Sequence, residues 1–271
     1  MSEKTTSGGG AALNAMNAAF WVECRETFQK LGKDGSVRAI VLSGGQSKHF
    51  TVGLDLKDKD LSASLMPSDG EHVDAARRAV LMRNLILTMQ ESFNAIEKCP
   101  QPVIAAIHGA CIGGGIDMIT ACDIRMCSAD AWYSIKEVDI GLAADVGTLQ
   151  RISHVIGSAS LVRDLAYTAR KMDSAEALSC GFVSRVLPTK EETLNKAMEM
   201  AKEIATKSPI AIFGTKHNLN YSRDHTLTDS LAYMATWNAA YLQTVDMTKA
   251  GLASITKSEA PEFDDLHKAK L

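Results

Sequence analysis

The 271-residue chain predicts an α/β core followed by a helical C-terminal region, and three observations point there. Short β-branched runs such as VRAIVL (37–42) and PVIAAIH (102–108) alternate with segments whose apolar residues recur at helical spacing. Beyond Leu149 the pattern turns almost entirely helical. Between these, residues 107–151 set a glycine triplet and three carboxylates, Asp117, Glu137 and Asp145, in an otherwise apolar run. Acids among Ile, Val, Leu and Ala must be paired, solvated or retained for chemistry, so this stretch reads as an active site.

The elements follow in order. Residues 1–12 are polar and glycine-rich and read as a disordered segment. In the segment that follows, Met16, Phe20, Cys24, Phe28 and Leu31 recur as on one face of a helix. Residues 37–42 form a buried strand that opens at Ser43, Gly44 and Gly45 into a loop; no G-x-G-x-x-G follows, which disfavours a dinucleotide fold. That loop brings Phe50, Gly53 and Asp55 close together. Residues 61–70 are rich in Ser, Pro, Asp and Gly and read as a mobile loop before a long amphipathic helix at 73–98.

A second buried strand at 102–108 runs into GACIGGGID, where Gly113, Gly114 and Gly115 open a helix and its N–H groups face outward. Strands follow at 123–127 and 132–135, and the loop KEVDIGLAADVGT leads into the helical half. Helices are expected at 156–169, at 173–180 with Ser174 as cap, and at 189–206, with a short strand at 182–186 and three further helical segments to about Ile255. Trp237, Tyr233 and Tyr241 lie on amphipathic faces there, without a cluster of catalytic residue types, as suits a cap or an oligomer interface.

Composition narrows the function. With 46% hydrophobic and 23% charged residues, the chain is that of a globular protein, and 6% aromatic makes the core aliphatic. A net charge of −3 with scattered lysines and arginines argues against nucleic acid as a partner. Six cysteines lack the C-x-x-C spacing of a zinc site and read as buried free thiols, so no metal is expected. No apolar run reaches the ~18 residues of a membrane span. Ala269, Lys270 and Leu271 form a small–basic–Leu ending related to the S-K-L peroxisomal address, which implies an import receptor as partner. Localisation is expected in the peroxisome or a related organelle such as the glycosome, with mitochondrion or cytosol as the alternative.

The segments IHGACIGGGIDMITACDIR and HFTVGLDL resemble the two signatures of the crotonase (enoyl-CoA hydratase/isomerase) superfamily, in register from about Leu13 to Ser208. Within it, KEVDIGLAADVGTLQR and SRDHTLTDSLAYMATWN are similar to the Δ3,5-Δ2,4-dienoyl-CoA isomerase branch, marked by an added acid at the position of Asp145. The resemblance implies a spiral of ββα units over 13–208. It also implies a helical trimerisation region over 209–271, assembling as a trimer or dimer of trimers. It places oxyanion-hole N–H groups at Leu54 and Gly114, acid/base positions at Asp117 and Glu137, and substrate contacts at Gly53, Asp55, Gly113 and Gly115. Members of the superfamily carry a strand hairpin and a basic loop before the NAMN segment, whereas here only glycine-rich residues precede Asn14. Some contacts to the CoA phosphates and adenine are therefore expected to be missing or replaced.

The implied reaction moves a 3,5-diene of an acyl-CoA thioester to the 2,4 positions in fatty-acid β-oxidation, with CoA as part of the substrate and no cofactor. It needs N–H donors for the thioester oxygen and proton-handling groups at both ends of the conjugated chain. Glu137 and Asp145 are the expected pair, with Asp117 orienting or modulating them. Taken alone, each acid reads as a cap or a loop residue, and His49 and His108, which flank the glycine segments, read as structural. The competing readings are an enoyl-CoA hydratase or Δ3-Δ2-enoyl-CoA isomerase, or a non-catalytic binding member of the same fold. The third acid, Asp145, speaks against a hydratase, which uses two acids and a water.

Overall fold

The computed structural model describes residues 13–61 and 74–267. The expected disordered segment at 1–12, all but the first residue of the loop at 61–70, and the tail at 269–271 lie outside the described residues.

Helix α1 (Ala18–Gly32) is capped by Asn17, whose side chain accepts from the N–H of Phe20, and it buries Trp21, Cys24 and Phe28. The helical spacing that suggested a start near Met16 is overridden upstream. Met16 lies extended beside Leu54: its N–H donates to the Gly53 carbonyl at 2.8 Å, and its carbonyl accepts from Asp55 at 2.9 Å. Long-range pairing outweighs the local period there, and Met16 is fully buried.

Strand β1 (Ile40–Ser43) is followed by α2 (Ala75–Lys98), which starts at Asp74, a cap accepting from Ala76 and Arg77. Phe93 and Ile96 of α2 are fully buried, and Phe93 sits 5.2 Å, ring to ring, from Trp21 of α1. Strand β2 (Val103–Ile107) is buried at every residue; β3 (Ala110–Ile112) follows and leads into α3 (Gly114–Thr120). Strands β4 (Ile124–Ser128) and β5 (Trp132–Ser134) precede a 3₁₀ turn (Glu137–Ile140) and the short α4 (Thr148–Arg151), which runs into a second 3₁₀ turn (Ile152–His154).

The C-terminal half comprises α5 (Ala159–Thr168), β6 (Met172–Asp173), α6 (Ser174–Ser179), β7 (Val186–Leu187), α7 (Lys190–Ala205), α8 (Pro209–Tyr221), α9 (Leu227–Tyr241) and α10 (Val245–Thr256). Two expectations need correction. The cap of α6 is Asp173, which accepts from Glu176, while the Ser174 hydroxyl donates to the Ala129 carbonyl instead. The strand expected at 182–186 forms only at Val186 and Leu187, where they meet Cys127 and Ser128. Phe182 and Val183 fill the core without pairing in a strand.

β1, β2, β4 and β7 make one parallel sheet, in the order β1-β2-β4-β7; β3, β5 and β6 make a second. Consecutive strands β2 and β3, then β4 and β5, go alternately to the two sheets, so the chain winds as a spiral of ββα turns. The extension of the second sheet matters most for the site. Thr51 bridges to Cys111 of β3, and Leu54 bridges to Met16, so residues 51–54 run between β3 and the start of the chain. Helix α7 covers the parallel sheet, packing Ala197 and Ala201 on Ile104, Ala106 and Met126. Helix α8 is pinned by the buried Lys216, whose ammonium meets Asp123 at 2.7 Å and the Gln101 carbonyl at 3.0 Å. Helix α9 buries none of its residues.

Candidate active site

Residues 50–55 are held on both flanks by hydrogen bonds. On one side Phe50 N–H donates to the His108 carbonyl (2.9 Å), Thr51 N–H to Ala110 (3.1 Å), and Ile112 N–H to Thr51 (3.2 Å). On the other side, the Thr51 hydroxyl donates to the Asn14 carbonyl at 2.6 Å, and the Asn14 amide donates to the Phe50 carbonyl. Asn14 takes a left-handed φ of 54°, a conformation its short polar side chain tolerates.

Two glycines let these segments approach. Gly53 has φ 82°, and a Cβ there would stand 2.8 Å from the Ile112 carbonyl and 3.5 Å from the Gly114 nitrogen. Gly113, the residue before α3, has φ 54° and ψ −123°, and a Cβ on it would lie 3.2 Å from Glu137 Oε1. Only glycine fits either place. Leu54 and Gly114 are both partly exposed, and among the described residues neither N–H donates to a protein acceptor. The N–H of Gly114 is also one of the unsatisfied donors that every helix start presents.

The carboxylates meet beside this frame. Asp117, in the first turn of α3, is fully buried; its Oδ1 accepts from the Thr148 N–H at 2.5 Å, so it caps the start of α4. Its Oδ2 is buried with no partner among the described residues. Burial pushes the Asp117 pKa up to about 6, against the opposing pull of Thr148. The Thr148 hydroxyl faces the same carboxylate without reaching hydrogen-bond geometry.

Glu137 opens the 3₁₀ turn and is half-buried, with Oε2 enclosed and unpartnered. Desolvation, then the charge of Asp117 and more weakly that of Asp145, raise its pKa to about 7. Asp145 has an accessible surface, yet desolvation by the adjoining wall still raises its carboxyl. The Gln90 amide of α2 holds the Asp145 carbonyl at 2.6 Å. Arg151 supports α4 from behind: it bonds Asn94 and Glu97 of α2 and packs on Gly147, where any Cβ would collide with its guanidinium.

The structure thus brings together Asp117, Glu137, Asp145, Leu54, Gly53, Gly113 and Gly114. Gly115 lies one step deeper, where a Cβ would stand 2.5 Å from the Thr51 methyl, so its part is the close packing of α3 on that segment. The Asp55 carboxylate accepts from Lys57 in a local turn, and its N–H holds Met16. His49 and His108 make backbone bonds, as expected of structural histidines. Thr148, Gln90, Asn14 and Arg151 were missed as site residues. Each acts across more than thirty positions of sequence, where no periodicity carries a signal. Among the described residues there is no group of three or more His, Cys, Asp or Glu able to hold a metal ion.

The chain is similar to several known proteins. A rat protein named Delta(3,5)-Delta(2,4)-dienoyl-CoA isomerase, mitochondrial, is 54% identical over 91% of this chain and 74% of its own length. An Arabidopsis thaliana protein named as the peroxisomal isomerase is 44% identical over 94% of this chain and 89% of its own. In structure, an enoyl-CoA hydratase/isomerase of Mycobacterium abscessus, described as probable, superposes with a TM-score of 0.76 at 27% identity, over 91% of this chain and 89% of its own. Residues 10–266 match the Enoyl-CoA hydratase/isomerase family. With that match over most of its length and with its spiral of ββα turns, the chain belongs to the enoyl-CoA hydratase/isomerase family.

Proposed function

We propose that this chain converts 3,5-dienoyl-CoA to 2,4-dienoyl-CoA in the β-oxidation of unsaturated fatty acids. The observation that carries the reading is the third acid. Asp145 adds its charge to that of Asp117 on Glu137, so the three carboxyls act on one another, and Gly113 beside Glu137 leads into the Gly114 N–H, which like that of Leu54 meets no protein acceptor among the described residues. The names of the rat and Arabidopsis relatives support it.

The Leu54 and Gly114 N–H groups receive the thioester oxygen as it gains negative charge; losing one such donor costs ~3–4 kcal/mol in other enzymes. A proton leaves C2, the charge spreads over a dienolate, and a proton is returned at C6, which leaves the double bonds at C2 and C4. Glu137 and Asp145 serve the two ends. With its pKa near 7, Glu137 exchanges a proton readily at neutral pH. Asp117 sustains that poise: its charge disfavours a second charge on Glu137, and through Thr148 it anchors the loop that carries Asp145. Atoms and electrons balance within the substrate, so the chemistry calls for no cofactor beyond the CoA it carries.

The helices from α8 onward form the assembly region of a homotrimer or a dimer of trimers under the same proposal, supported by Leu227, Leu231, Leu252 and Ile255, all largely exposed in the single chain. The tail Ala269, Lys270 and Leu271 serves as the receptor-read address to the peroxisome. Deleting these three residues from a tagged protein should disperse it from that organelle, and unchanged punctate staining would refute the address.

The direct test mixes purified protein with 3,5-octadienoyl-CoA and follows the ultraviolet band of a 2,4-dienoyl thioester. The band should rise. Water addition to 2-enoyl-CoA with no diene isomerisation would overturn the reading in favour of a hydratase.

A further inference from the structure

His49 and His108 lie on the two segments that end in the Leu54 and Gly114 N–H groups, and each packs against a glycine of the other segment. A Cβ on Gly109, which has φ 56°, would stand 2.8 Å from His49 Nδ1 and 2.9 Å from the Lys48 carbonyl. A Cβ on Gly44 would stand 2.8 Å from His108 Cε1 and 2.8 Å from the Phe50 Cα. The contacts are reciprocal and leave no slack. His108 spends its bond on its partner segment's loop, with Nε2 on the Ser47 carbonyl at 2.9 Å; Lys190 donates to the same oxygen at 3.0 Å. Burial lowers the His108 pKa, in keeping with a neutral ring that donates there.

The bond of His49 differs in kind. The Ala110 backbone N–H donates to His49 Nδ1 at 3.2 Å. A backbone N–H can only donate, so Nδ1 is the unprotonated nitrogen and the ring proton sits on Nε2. This side-chain bond joins the ladder made by Phe50 to His108, Thr51 to Ala110, and Ile112 to Thr51. Beyond the last rung, the paired segments run directly into Gly53 and Leu54 on one side and Gly113 and Gly114 on the other. The spacing of the two free donors is therefore fixed by how tightly this ladder closes, and the rung at His49 is the one the backbone cannot supply for itself.

From this arrangement we infer that His49 is a positioning residue of the site: its Nδ1, by accepting from Ala110, sets the register that holds the Leu54 and Gly114 N–H groups at the separation a thioester oxygen requires. The inference rests on the proposed oxyanion role of those N–H groups. His49 is only half-buried and touches no reacting atom, so its effect travels through the backbone alone.

The test uses the full chain and three substitutions. His49→Asn places an amide oxygen where Nδ1 stands, His49→Gln reaches toward the Nε2 position instead, and His49→Ala supplies no acceptor. Two readouts are taken: kcat and KM on 3,5-octadienoyl-CoA, and the absorption maximum of bound 2,4-octadienoyl-CoA. The maximum moves to longer wavelength when N–H donors polarise the carbonyl. His49→Ala and His49→Gln should each lower kcat about tenfold, with KM within about twofold, and should lose most of the red shift. His49→Asn should recover both. Equal behaviour of the Asn and Gln variants, or an Ala variant with the wild-type shift, would overturn the inference. The Asn–Gln contrast decides the matter even if the Ala variant does not fold. A wild-type protein that binds the dienoyl thioester without isomerising it would sink the proposed reaction, while the red shift would still report on His49.

Discussion

The glycine-bearing segments, residues 44–55 and 107–115, contrast with the acid-bearing stretch, residues 137–147. The first pair is closed by backbone rungs on both flanks, and Phe50, Thr51, Gly53, Cys111 and Gly113 are buried. In the second, Val138, Ile140 and Leu142 are 41%, 50% and 42% exposed. Apart from its own tight turns, that stretch is tied down at few points, chiefly Gln90 on the Asp145 carbonyl and Thr148 on Asp117. The difference follows from what each part must do. Dipoles that meet a developing charge work only when they are fixed beforehand, so the donors sit on an over-determined backbone. A carboxyl that must give and take protons near neutral pH needs the opposite, a partly desolvated place with an oxygen left unpaired, as Glu137 Oε2 is.

Experiments can break this contrast at either end. The largest expected effect is at Glu137: Glu137→Gln keeps the shape but removes the titrating group, and kcat should fall ~10²–10⁴-fold with little change in melting temperature. A retained rate would move the chemistry to Asp145 and Asp117. Next comes Gly53→Ala, which forces a Cβ against the Ile112 carbonyl from a φ of 82°. Here kcat should drop ~10²–10³-fold, the size of one lost oxyanion donor, and the melting temperature should fall as well. A variant that lost stability yet kept its rate would show the donor spacing to be dispensable.

The acid end also has a signature in stability. Glu137 titrates at about 7 in the fold against an ordinary 4.5. A carboxyl raised in this way leaves stability fully present below 4.5, and that contribution is lost as pH climbs through about 7. Across that window the wild-type melting temperature should fall relative to Glu137→Gln, and parallel curves would deny that burial strains this group. The smallest effect belongs to Gln90→Ala, which frees the Asp145 carbonyl. Loss of a neutral hydrogen bond worth ~1 kcal/mol predicts about a fivefold loss in kcat, with the oxyanion red shift intact. A lost shift would mean that the two regions are mechanically one.

Much of this was legible in the residues. The strand at 103–107 was visible because an unbroken apolar run between turn residues has few other uses, and the glycine triplet and the three acids stood out against it. The strand β3 was hidden inside GACI because three residues carry no period, and β7 was displaced because its partner in β4 chose Val186 and Leu187. Met16 fitted a helical face and still became extended, since Gly53 and Asp55 offered it backbone partners.

Composition and periodicity determined an α/β core with a helical C-terminal region and an apolar, acid-bearing stretch, since burial preference and backbone freedom are properties of residues and their near neighbours; the spiral was implied by the resemblance of the two glycine segments to a known family. Folding decided which acid is sealed, which is half-exposed and which oxygens go unpartnered. Those facts depend on Thr148 reaching Asp117, Gln90 reaching Asp145 and Ala110 reaching His49. Desolvation and hydrogen-bond register are set by groups far apart in the chain, and a linear pattern does not encode their distances.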